Sequence, residues 1–181
     1  DHNGSRGLGD VYKRQTPAPC RKAIKDALKV MMSGTEDEMI DFIDQFRKKF
    51  RSLPPEEISF PRTVSDVVKY KGRNAIYEKG TPIHARGSLL FNHHVKRLGL
   101  EGKYSLIGNG EKVKFCYLRS PNPIHENVMS FIQDFPREIG IEKYIDYDLQ
   151  FEKSFLDPLK IILDVIQWNV EKTASLESFF S

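Results

Sequence analysis

Between residues 17 and 51, apolar side chains recur every three or four positions, the period of a helix with one face turned inward. Ile24, Ala27, Leu28 and Met31 mark such a stripe over 17–32, with Lys22, Lys25, Asp26 and Lys29 on the other side and Gly34 as a stop. A second helix is expected over 35–51. Thr35 and Glu38 form a capping box, Glu36 and Asp37 sit at the positive end of the helix dipole, and Met39, Phe42, Ile43, Phe46 and Phe50 make the apolar stripe. The pair reads as an antiparallel helical hairpin whose aromatic stripe is core. Pro54-Pro55 breaks the pattern. A short strand is expected around 58–60, a short helix around 65–70, a loop over 72–82 and a third helix over 86–98, ending at Gly99.

After the turn signal Gly108-Asn109-Gly110, the period changes to two. Val113, Phe115 and Tyr117 alternate with Lys112, Lys114 and Cys116, which predicts a half-buried strand with a basic outer face. A partner strand is expected near 128–132. Helices follow over 143–156 and 158–166, with Asp157 as N-cap and Pro158 at the first helical position. The fold class is therefore α+β, a mainly helical base with a small antiparallel β-sheet in the middle.

The chain has 181 residues, 39% hydrophobic and 29% charged, with a mean hydropathy of -0.48 and a formal net charge of +3. That suits one globular domain and no membrane association, since no apolar run approaches the ~20 residues of a span. Two cysteines, Cys20 and Cys116, cannot build a disulfide framework. The modest net charge hides an asymmetry. Residues 60–125 carry +8 (twelve Lys and Arg against four Asp and Glu), whereas 126–181 carry −6 (five against eleven). A basic middle that also holds four of the five histidines points to a polyanionic partner.

Catalytic and metal constellations are not expected. His93 and His94 are adjacent, so on a helix their rings diverge by about 100° and cannot chelate one ion. Asp146 and Asp148 open a helix, where carboxylates satisfy the dipole. The basic segment is more informative. Arg73, Arg86, Lys96, Arg97, Lys112, Lys114 and Arg119 are interleaved with Tyr70, Tyr77, Phe91, Tyr104 and Tyr117, which suits phosphate contacts beside flat stacking surfaces. Lys112 and Lys114 lie about 6–7 Å apart along one strand, near the spacing of successive phosphates. With no helix-turn-helix or zinc finger, backbone tracking without base readout is expected. At the C-terminus, one helical turn would bring Leu176, Phe179 and Phe180 together as an apolar plug for a partner.

The strings TPIHARGSLLFN (81–92), NGEKVKFCYL (109–118) and IDYDLQFEKSFLDPLK (145–160), with the closing ASLESFF, resemble in order the C-terminal thumb of family B DNA polymerases of T-even-type bacteriophages. Thr16-Pro17 is similar to the junction where palm gives way to thumb. On this resemblance, 16–170 is the thumb domain and 171–181 a sliding-clamp-binding tail. Residues 1–15 resemble adapter read-through and are read as non-native, so the chain is expected to be a fragment that has lost its upstream part.

The resemblance implies a part of a DNA-directed DNA polymerase that grips primer–template double-stranded DNA and docks the sliding clamp, at work in the cytoplasm of the infected bacterial host. The DNA-facing residues would be Arg86, Phe91, Asn92, Lys96, Lys112, Lys114, Arg119 and Lys153; Leu176, Phe179 and Phe180 would enter the clamp. Phe91 replaces the family's tyrosine, and Asp157 stands where a relative has a second lysine. The catalytic and exonuclease carboxylates are expected outside this chain, so Mg2+ is implied for the full polymerase and no cofactor for this piece. The alternative is a stand-alone replication adaptor that binds DNA and a clamp.

Overall fold

The computed structural model describes residues 15–168. Its first two helices, α1 (Ala18–Ser33) and α2 (Glu36–Arg51), form the expected hairpin. The Thr35 hydroxyl accepts a hydrogen bond from the Glu38 amide at 3.2 Å and so caps α2. Met39, Ile43, Phe46 and Phe50 point inward from α2. There Phe46 and Phe50 meet Phe151 and Phe155 at ring-centroid distances of 4.7 to 5.7 Å, mostly edge to face. This aromatic cluster ties the hairpin to the C-terminal helices and forms the core of the base.

A short helix α3 (Pro55–Ile58) then delivers the chain into a three-stranded antiparallel sheet of order β1-β2-β3, with β1 Phe60–Val64, β2 Glu111–Tyr117 and β3 Val128–Phe131. The strand expected around 58–60 therefore starts at its far end and runs on through Pro61. Proline is tolerated because β1 lies at the sheet edge. Register is set by Phe60 opposite Phe115 and Thr63 opposite Lys112 on one side, and by Phe115 opposite Ser130 on the other. Residues 68–70 form a single 3₁₀ turn where a short helix was expected.

Helix α4 (Ile83–Arg97) begins three residues before the expected position, behind Pro82, and lies across the sheet. The crossing is close because of Gly87. A Cβ there would stand 2.3 Å from Ser130 Oγ and 2.9 Å from the Ser130 amide nitrogen. The Ser130 hydroxyl donates to the His84 carbonyl at 3.0 Å, so strand and helix backbone are nearly in contact. Phe91, 1% exposed, packs on the same side of α4.

The C-terminal helices differ in detail from the sequence reading. After a 3₁₀ turn at Glu142–Tyr144, Asp146 caps α5 (Tyr147–Phe151) by accepting from the Leu149 amide at 3.0 Å. Asp157 is not an N-cap. The chain runs from α5 through a π turn (Glu152–Leu156) into α6 (Asp157–Val165) without a break, and the Asp157 amide reaches back five residues to the Glu152 carbonyl. The π turn sits immediately ahead of Pro158, whose ring and missing N–H would disrupt an ordinary i to i−4 ladder.

Gln150 joins the two halves. Fully buried, it donates to the Ile58 carbonyl at 2.9 Å and accepts from the Tyr117 amide at 2.8 Å, so one side chain satisfies groups on both the helical base and the sheet. The architecture is α+β as expected.

The close crossing makes a test. Alanine is better than glycine in a helix interior by about 1 kcal/mol, but at Gly87 the overlap with Ser130 should outweigh that gain. Gly87→Ala is expected to lower stability by about 2 kcal/mol, a Tm drop of roughly 4–8 °C in thermal unfolding. An unchanged or higher Tm would contradict the contact.

Candidate nucleic-acid interface

The exposed edge of the sheet is where cations gather. Facing residues of antiparallel strands share a side of the sheet, so Phe60 and Arg62 of β1 stand on the same side as Phe115 and Val113 of β2. The Arg62 guanidinium lies 5.5 Å from the Phe60 ring and 5.2 Å from the Phe115 ring, and donates to the carbonyls of Gln15 and Pro61 at 2.8 Å each. Phe60 and Phe115 stack at 5.2 Å, Tyr117 continues the row 5.7 Å from Phe115, and Lys153 Nζ closes it 5.4 Å from the Tyr117 ring. A strip of three rings thus carries a cation at each end.

Beside Arg62 opens a cleft of about 840 Å³. One wall is the start of α1 with Arg21, another the strand segment Pro61–Thr63 with Lys112, and the third carries His84 from the first turn of α4. Both helices begin behind a proline, Pro17 and Pro82, with no side-chain cap and no acidic residue in the first turn. Their positive dipole ends face the opening, although in α1 Pro19 has no N–H and the Cys20 amide donates to the Pro17 carbonyl at 3.0 Å. Among the described residues, no carboxylate lines the cleft. Burial and the neighbouring positive charge of Arg62 hold the His84 imidazole below its ordinary pKa, and burial also draws the Arg62 guanidinium down.

The residues singled out in the sequence divide among several places. Lys112 lies in the cleft and is exposed. Lys153 is exposed at the far end of the ring strip. Lys96 is exposed on α4 and lines a different groove. Arg119 is exposed but donates to the Lys143 carbonyl.

The other four, expected to face DNA, are engaged within the fold instead. Arg86 is drawn into a pair with Glu126, 3.6 Å away, whose oxygens also accept from the Tyr77 hydroxyl at 2.8 and 3.0 Å. Lys114 is half-buried and donates to the Glu56 carbonyl at 2.9 Å, because the strand face it shares with Cys116 turns inward. Phe91 is in the core, edge-on to Tyr104 at 5.9 Å, and offers no face to a base. Asn92 uses both ends of its amide on Ile107, donating to the carbonyl at 2.9 Å and accepting from the amide at 2.7 Å. Read with Gly87, the H-x-R-G-x-L-x-F-N stretch is chiefly a device for seating α4.

Arg21, Arg62 and His84 did not figure in the DNA-facing set. Arg62 was hidden by the strand boundary: once β1 extends to Val64, period two pairs its residues with the Lys112 strand. The aspartates Asp146 and Asp148 do not suit a magnesium ion, since the first caps α5 and the second pairs with Arg51 at 3.1 Å. Among the described residues, no three ligating side chains come together. Leu176, Phe179 and Phe180 lie outside the described residues.

No protein-family model matches this chain. The curated proteins to which it is similar include DNA-directed DNA polymerases of bacteriophages. One is that of Enterobacteria phage T4, 26% identical over 175 residues; another is that of Escherichia phage RB69, 27% identical over 176 residues. Each match takes in 94% of this chain and 19% of the relative, so the chain spans about a fifth of the length of the curated relatives it matches. The ordered motifs and these alignments lead to the same group of T-even-type phage polymerases.

The cleft's electrostatics give a pH prediction. In the free chain His84 should titrate below its ordinary 6.5, and Arg62→Ala should raise its midpoint by removing the adjacent charge. An anion in the cleft stabilises the protonated ring, so duplex DNA should raise the midpoint too, and affinity should increase as pH falls through it. Imidazole NMR titration with and without a short duplex measures both; a midpoint unmoved by DNA would place the anion elsewhere.

Proposed function

We propose that this chain is the duplex-gripping thumb of a DNA-directed DNA polymerase of the T-even-type phage kind, at work in the infected host. The observation that carries the reading is the cleft: Arg62, His84 and Lys112, from three separate elements of the fold, face one opening whose lining holds no carboxylate among the described residues. The similarity to phage polymerases over nearly the whole chain supports DNA as the polyanion. In this role the cleft receives phosphates of the primer–template backbone, and Lys153 at the end of the ring strip extends the contact. Phosphates position the duplex and carry no base code, so the grip holds any sequence alike. The nucleotidyl transfer belongs to carboxylates beyond the described residues, with the magnesium that such transfer uses.

Binding of this kind follows salt. With about four to five phosphate contacts, log K against log salt should fall with a slope of roughly −4. Lys112→Glu with Lys153→Glu should weaken duplex binding at least about tenfold for every sequence and flatten the slope by about 2. Lys48→Glu with Lys49→Glu, which changes net charge equally away from the cleft, should stay within about twofold. A salt-independent affinity, or equal loss in both pairs, would overturn the assignment.

The same reading gives the tail its partner. Leu176, Phe179 and Phe180 dock in an apolar pocket of a ring-shaped sliding clamp, and the DNA-bound body raises their effective concentration there. Phe179→Ala with Phe180→Ala is expected to abolish clamp capture in a pull-down. Duplex affinity should stay within about a factor of two, since distant sites act additively.

A further inference from the structure

A second recess lies on another side of α4. At about 100° per residue, Leu89, Asn92 and Lys96 stand roughly a third of a turn round the helix from His84, so this groove and the DNA cleft open in different directions. The groove has a volume of about 570 Å³. Its floor is aliphatic, made by Val67, Ile76, Leu89 and Ile107, and its rim is cationic, made by Lys71, Arg73 and Lys96 with the His93 imidazole beside them. Among the described residues none of its lining is acidic or carries a phenyl, phenol or indole ring. Val68 sits at the lip with 71% of its surface exposed.

The walls are fixed before any ligand arrives. The Asn109 side chain accepts from the amides of Val67 at 2.6 Å and Val68 at 3.4 Å, pinning one side. On the other, the segment from Lys71 to Tyr77 folds on itself. Lys71 bridges Tyr77, and the Glu78 amide donates to the Tyr70 carbonyl at 2.8 Å. The Tyr77 hydroxyl anchors that segment to Glu126. Gly72 allows the tip, where a Cβ would meet the Ala75 carbonyl oxygen at 2.4 Å. Asn92, which lines the groove, is held in place by Ile107, donating one N–H to its carbonyl and accepting from its amide.

We infer that this groove is a docking site for an acidic peptide of a partner protein, one that places a large apolar side chain on the aliphatic floor and its flanking carboxylates on Lys71, Arg73 and Lys96. Charge complementarity selects the sign of the occupant, and the floor selects an aliphatic or aromatic side chain. A single-stranded nucleic acid fits less well, since its bases stack on aromatic platforms and this lining has none but the His93 imidazole. The site is independent of the cleft, so DNA binding and peptide binding can fail separately.

The test uses the full chain and a panel of fluorescein-labelled nonapeptides, each with one Leu, Phe or Trp at the centre and four Asp around it. At about 50 mM salt, anisotropy should show at least one binding with Kd below about 100 μM. The matching peptides with Asn in place of Asp should bind at least about tenfold more weakly. Lys71→Glu with Arg73→Glu, and separately the exposed Val68→Asp, should each cost at least about tenfold in peptide affinity while leaving duplex affinity within about twofold. No acidic peptide binding below about 1 mM, binding insensitive to both variants, or a labelled oligo-dT nonamer displacing the peptide with greater affinity for the groove, would overturn the proposal.

Discussion

The approach of α4 to β3 at Gly87 is the constraint on which the rest depends. Without a side chain at that position, the helix settles against Ser130 and its first turn hangs over the sheet edge. His84 is thereby brought beside Arg62, and the uncapped start of α4 faces the same opening as the start of α1. The same seating directs Leu89 and Asn92 to the other groove, so one close contact fixes the geometry of two recesses.

Much of the fold was legible because local and tertiary preferences agree. Helix α2 has its cap at Thr35, its acids in the first turn and an apolar stripe in register with Phe151 and Phe155. Strand β2 was visible from strict alternation. The parts that were not legible are places where a local rule gave way to context. Pro61 reads as a breaker, yet an edge strand has no partner on its outer side to miss the proline amide. Asp157-Pro158 reads as a helix start, but the π turn absorbs the proline within a continuing helix. Phe91 stood among basic residues and suggested a stacking ring, whereas its helical phase, shared with Ser88 and Val95, places it in the core.

Charge in the sequence was a guide to a partner's sign and a poor guide to which cations meet it. Arg86 and Lys114 are consumed by Glu126 and the Glu56 carbonyl, and Arg137 is shared between Glu56 at 2.9 Å and Glu142 at 3.1 Å. Among the described residues no carboxylate lines the cleft, a property of tertiary placement that no count of lysines reveals. The similarity to phage polymerases and this electrostatic opening are independent observations, one from residue order and the other from geometry, and they favour the same ligand.

The perch of Arg62 on Phe60 and Phe115 has a consequence for motion. A guanidinium already at rest on two rings surrenders little rotational freedom when a phosphate arrives and regains little when it departs. In the proposed role its contact would cost little entropy from one nucleotide to the next, which would level the ripples a helical substrate feels as it glides past. A flexible lysine in that place would seize and release at each step; a pre-seated arginine would behave as a bearing.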